Sequence, residues 1–180
     1  MYIELQHRMI GNFAADLQRG FEDTTAALRA LDYAMDRALG HKIFSVLAYD
    51  ASGKRMVRLY SNHPDRIPAG GVKSVSDSEW TRTVLIEGKI LTSSNEDDIR
   101  RLFPDYERIF SYRCGSALNI PIRWGGVVLG SLNLLDRREF YDRVDHDVAW
   151  TFAQLLVPLM KDELTKLPSG EADPLSVERV

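Results

Sequence analysis

Apolar side chains at Phe13, Leu17, Phe21, Leu28, Leu31, Met35 and Leu39 recur at steps that sum to helical spacing, predicting one long amphipathic helix over residues 13–39. Gly40 closes it. Residues 42–50 and 55–60 are rich in apolar and β-branched positions and flank a short turn containing Gly53, the pattern of a β-hairpin. Pro64, Pro68, Gly70 and Gly71 interrupt both helix and ladder, so residues 61–71 read as a loop. Ser76, Asp77 and Ser78 offer capping oxygens ahead of Trp80, Val84 and Leu85, which predicts a short helix over 78–87 stopped by Gly88. Residues 89–92 read as a strand. Asn95 caps a helical turn through Leu102 that Pro104 breaks, and residues 106–112 form another short helix.

The clearest pattern lies at 115–135, where two apolar runs meet through Arg123-Trp124-Gly125-Gly126. A three-residue loop centred on Gly125 sets Asn119 opposite Ser131 and Ala117 opposite Asn133. One face then carries Leu118, Ile120, Ile122, Val128, Leu132 and Leu134, which need covering helices. The other carries Ala117, Asn119, Ser131 and Asn133, small and polar in the middle of an apolar hairpin. Asp142 caps a last helix, with Asp145 in its first turn, and Val144, Val148, Phe152, Leu155, Leu159 and Met160 carry its apolar stripe to about Leu164. Pro158 bends that helix or ends it early. The expected organisation is a lead over 1–12, one domain over 13–164 and a solvated tail over 165–180.

Composition changes this picture by exclusion. A chain of 180 residues with 44% hydrophobic and 27% charged content fits one domain, and its net charge of −3 lacks the basic excess that nucleic acid or anionic lipid would require. One cysteine excludes an internal disulfide, a four-thiolate zinc site and a two-cysteine redox centre. The first residues lack a secretory apolar run and no stretch approaches the roughly 18 residues of a membrane span, so a cytoplasmic address is expected. His7, His41, His63 and His146 show no metal-ligand spacing, and neither a phosphate loop nor a Gly-x-Ser-x-Gly elbow occurs.

The order of elements, closing on GSALNIPIRWGGVVLGSLNLL at 115–135, resembles the GAF domain family over residues 26–164. The resemblance implies an α/β (α+β) fold with a central antiparallel sheet, N- and C-terminal helices on one face and short lid helices on the other. It also implies a ligand pocket between the sheet and those short helices, and a homodimer built through the terminal helices. Cys114 is followed by Gly115 rather than by the histidine common in bilin-anchoring members, and a single cysteine cannot run the disulfide cycle of the free methionine-sulfoxide reductases. Asn133 is followed by Leu134 and Leu135, unlike the signature of cyclic-nucleotide-binding members.

Within that frame Asn119, Ser131 and Asn133 form the pocket floor, or tie down neighbouring loops. Trp80, Tyr106 and Phe110, with Tyr112, either stack on a planar ligand or plug the cavity. Arg82, Arg108 and Arg113 are solvated, or pair with a ligand carboxylate or phosphate. The leading expectation is a stand-alone, non-catalytic sensory domain that binds a small molecule and signals through protein contacts. No cofactor is named, no metal, nucleic acid or membrane is expected, and the protein partner is left open. The alternatives are a dimeric assembly module with a filled pocket and a small-metabolite enzyme using Cys114.

Overall fold

Gly20 divides what the apolar spacing joins. In the computed structural model, which describes residues 2–167 and 177–179, the predicted single helix is two: α1 (Tyr2–Arg19) and α2 (Thr24–Ala38). Gly20 takes a φ of +83°, and the Asp23 carboxylate accepts the Ala26 N–H at 2.7 Å to start α2. The helices lie antiparallel, with the Tyr2 hydroxyl and the Gln6 amide both donating to the Ala38 carbonyl. Residues 2–12, expected as a lead, are therefore helical, with Gln6 and Met9 buried.

Two hairpins build the sheet: β1 (Ile43–Asp50) with β2 (Arg55–Ser61), and β5 (Ser116–Trp124) with β6 (Val127–Asp136). Short strands β3 (Val72–Ser74) and β4 (Leu91–Ser93) extend the edges, giving the antiparallel order β4-β5-β6-β1-β2-β3. Val177–Arg179 (β7) pairs in parallel with β3, while 168–176, most of the expected tail, lie outside the described residues.

The β5–β6 register differs from the expected one by two residues, with Asn119 opposite Asn133 and Ala117 opposite Leu135. The turn contains two residues, not three, because Gly125 and Gly126 both adopt positive φ (58° and 82°) and let Trp124 face Val127. A bulge then leaves Leu129 without an opposite number between the pairs Arg123–Val128 and Ile122–Gly130. A shift of two preserves the faces, but the bulge moves Val128 away from the helix side, where it was expected, to pack with Leu47, Met56 and Trp80. A second bulge, at Leu59, lies between the pairs Val46–Tyr60 and Leu47–Arg58.

The expected layering holds. Phe13, Leu28, Leu31, Phe152 and Met160 from the terminal helices cover Leu118, Ile120, Leu132 and Leu134 in the main core. The closing helix is also two, α5 (His146–Leu155) and α6 (Val157–Lys166), with Pro158 in the first turn of α6, where its missing N–H is harmless. Its cap is Asp145, which accepts the Asp147 and Val148 N–H groups, in place of the expected Asp142. No helix among the described residues is long and apolar enough to cross a membrane.

Candidate functional site

Three short helices close over the other sheet face. The expected helix at 78–87 is a π-helix, Thr81–Ile86, started by the Ser78 hydroxyl accepting the Thr81 N–H and ended by a Glu87 N–H bond to the Arg82 carbonyl five residues back. Helix α3 (Glu96–Leu102) begins at Asn95, whose side-chain carbonyl accepts the Asp97 and Asp98 N–H groups, and α4 (Tyr106–Ser111) follows after Pro104. Their apolar side chains split into two small clusters, one around Trp80, Val84 and Leu85 and one around Ile99, Ile109 and Cys114.

A cavity of about 80 Å³ is walled by residues of both clusters. A single water needs only about 10–15 Å³ on this measure, so the space takes several waters or a compact organic molecule. Asn119 and Asn133 line it, beside Ser45 from β1.

The amides form a directed relay. An indole can only donate, so Trp80 Nε1–H at 2.8 Å sets the Asn119 carbonyl toward the lid. The Asn119 amide N–H₂ then donates to Asn133 Oδ1 at 3.2 Å, and Asn133 donates to Ser131 Oγ at 3.1 Å. Trp80 is 2% exposed and Asn119 1%, so the first bond of this relay is shielded from bulk water.

Of the residues singled out from sequence, Trp80, Asn119 and Asn133 line the cavity together. Ser131 is buried beside the cavity and braces Asn133. Tyr106 and Phe110 are partly buried against each other, ring centroids 5.7 Å apart, with the Arg100 guanidinium over Phe110, and neither lines the cavity. Among the three arginines Arg108 lines it and pairs with Asp105, whereas Arg82 and Arg113 are exposed.

Arg58 and Lys73 also line the cavity and were missed. For Arg58 a signal exists, because it shares parity with Met56, whose apolar side chain demands cover. Arg58 is 5% exposed and donates from Nη1 to the Pro68 carbonyl at 3.3 Å. The Tyr112 hydroxyl, buried in the wall, has no hydrogen-bond partner among the described residues. Burial pushes the Cys114 thiol up to about 11, so its reactive thiolate is scarce near neutrality. No His, Cys, Asp and Glu cluster suited to a metal occurs among the described residues.

This architecture, a six-stranded antiparallel sheet with terminal helices behind and short helices over a cavity in front, is that of a GAF domain. No family model and no curated protein matches the sequence. The chain is similar in structure to the GAF domain of a phosphoenolpyruvate-protein phosphotransferase from Coxiella burnetii, with a TM-score of 0.70 at 15% identity over 91% of this chain and 96% of that one. The corresponding Acinetobacter domain gives 0.68 at 13% identity, over 92% and 96%. A methyl-accepting chemotaxis protein fragment gives 0.60 at 19% identity, over 90% and 99%.

Proposed function

We propose that this chain is a non-catalytic sensory and regulatory domain that binds a small molecule between its sheet and its short helices, and signals through protein contacts. The observation that carries the reading is the cavity itself: about 80 Å³ left open between two apolar lid clusters, over a floor that carries the amides of Asn119 and Asn133. A fold that served only assembly would have no use for an open void over amide groups, since unfilled space forfeits packing and buried polar groups need partners. The chemotaxis protein among the structural neighbours supports a sensory role. The burial of Cys114, the one sulfur nucleophile, weighs against the enzyme reading. A cytoplasmic address belongs to the same proposal.

Native mass spectrometry of the purified chain tests it. The expected result is a retained small molecule, or failing that a stability increase with some member of a metabolite library. A chain that carries nothing and responds to nothing would sink the reading in favour of the assembly module. The protein contact proposed first is with a second copy, through the exposed Tyr2 and Ile3 of α1 and Tyr33 of α2. Light scattering after size exclusion is expected to give a dimer mass, and a concentration-independent monomer would overturn that part.

A further inference from the structure

Resting on the proposed binding cavity, we infer that its ligand is an uncharged, compact and largely hydrocarbon molecule, carrying one oxygen that accepts a hydrogen bond from the Tyr112 hydroxyl. Hydrocarbon lines the cavity from both sides. Ile43, Leu47 and Leu135 rise from the sheet, and Ile67, Phe103 and Ile109 come from the loops and the lid. Apolar side chains on opposing walls suit an apolar body between them.

The charged groups of the lining are already engaged within the chain. Arg108 pairs with Asp105, the one carboxylate among the described lining residues. Arg58 stands on the cavity face because the bulge at Leu59 sets it opposite Leu47, and residues 68–71 close around its guanidinium. Its Nη1 donates to the Pro68 carbonyl at 3.3 Å, and a Cβ added at Gly71 would stand 2.9 Å from the same nitrogen. Lys73 also interacts within the chain. A charged ligand would have to displace one of these contacts or bury its own charge unmatched, whereas an uncharged one loses little on leaving water.

The floor is matched in the same way. Asn119 accepts the Trp80 indole N–H and donates to Asn133, which in turn donates to Ser131. The Tyr112 hydroxyl stands apart from this pairing. It is buried, belongs to a residue of the cavity wall and has no hydrogen-bond partner among the described residues. Its ring is held by the His63 ring at 5.3 Å between centroids and by the Arg66 guanidinium, 5.8 Å over its face. A ligand oxygen against that hydroxyl supplies the missing bond, and one such oxygen is all that the lining leaves unmet among its buried side-chain hydroxyls and amides.

The test uses the indole N–H resonance of Trp80, which lines the cavity, assigned by elimination with Trp124→Phe and Trp150→Phe. Four probes built on one ring are titrated: cyclopentanone, cyclopentane, cyclopentanecarboxylate and cyclopentylammonium. The expected result is that cyclopentanone moves the Trp80 signal with a Kd at least about tenfold below those of both charged probes. Tyr112→Phe removes only the hydroxyl, so it should fold as the parent chain does, weaken cyclopentanone at least about threefold and leave cyclopentane unchanged. Either charged probe binding as tightly as cyclopentanone overturns the uncharged assignment and leaves the cavity as the ligand site. Cyclopentanone affinity unchanged in Tyr112→Phe, or both neutral probes weakened alike, overturns the role of the hydroxyl. If none of the four probes moves the signal at millimolar concentration, the binding reading falls with it.

Discussion

Trp80 Nε1 lies 2.8 Å from Asn119 Oδ1, and this bond joins the lid to the middle of a central strand with both side chains almost wholly buried. It makes the lid's position depend on one polar contact within an apolar cluster.

Asn119→Ala strands the indole N–H in apolar surroundings, so urea unfolding is expected to show a loss of about 1–3 kcal/mol. Trp80→Phe removes the donor and leaves the second amide step, from Asn119 to Asn133, in place. The double variant should lose less than the sum of the singles, with a coupling energy on the order of 1 kcal/mol. Strict additivity would show that the bond does not hold the lid.

Glycines with different surroundings should respond to alanine in opposite directions. A Cβ at Gly130 would collide with the Leu47 carbonyl and stand 2.6 Å from Met160 Cε, so Gly130→Ala is expected to lose at least about 3 kcal/mol or fail to fold. Gly11 lies inside α1 with nothing within 4 Å of the added atom, so Gly11→Ala should raise stability by about 0.5–1 kcal/mol. Thermal melts of the two variants check both signs.

Acid should lower stability through two carboxylates, Asp50 at the end of β1 and Asp98 in the first turn of α3. The Ser52 hydroxyl, with the Gly53 N–H and Arg55, holds the Asp50 carboxyl below its ordinary value although burial opposes this. The Ser94 N–H, with Arg101 and the Asn95 N–H contact, does the same for Asp98. Each group binds its proton more weakly in the folded chain than in the unfolded one. Their stabilisation is therefore complete above the unfolded value of about 4 and fades as pH falls through the lower folded values. Urea midpoints measured from neutral pH downward should drop in that window, and Asp50→Asn should be less stable at neutral pH with a shallower acid limb.

Cys114 should resist chemistry. With its thiol raised by burial to about 11, iodoacetamide at pH 8 should label the folded chain at least about tenfold more slowly than the urea-unfolded chain. Equal rates would show that the thiol is open to reagent.

Capping and pairing signals made the hairpins and lid helices readable in advance, because Asn95, Pro104 and Gly125-Gly126 each act over a few residues. The break at Gly20 escaped notice because Leu17 and Phe21 continue the same apolar spacing across it, and two antiparallel helices facing one sheet need the same stripe as one long helix. The π-helix left no trace, since a bond reaching five residues back has no compositional mark. In the site, Trp80, Asn119 and Asn133 stood out as polar groups in apolar segments. Arg58 and Lys73 sit inside strands at positions where a charge ordinarily faces solvent, and the bulge that re-aims Arg58 depends on pairing with a distant strand.

That bulge at Leu59 also makes the length of β2 matter as much as its composition. Deleting Leu59 itself would remove the extra residue and leave Val46 opposite Tyr60 and Leu47 opposite Arg58 with their faces unchanged. Because side chains alternate with period two, deleting a paired residue such as Val57 would instead exchange the faces on one side of the cut. Either Met56 or Arg58 would then turn under the terminal helices, so this strand should tolerate a loss at its bulge and at no paired position.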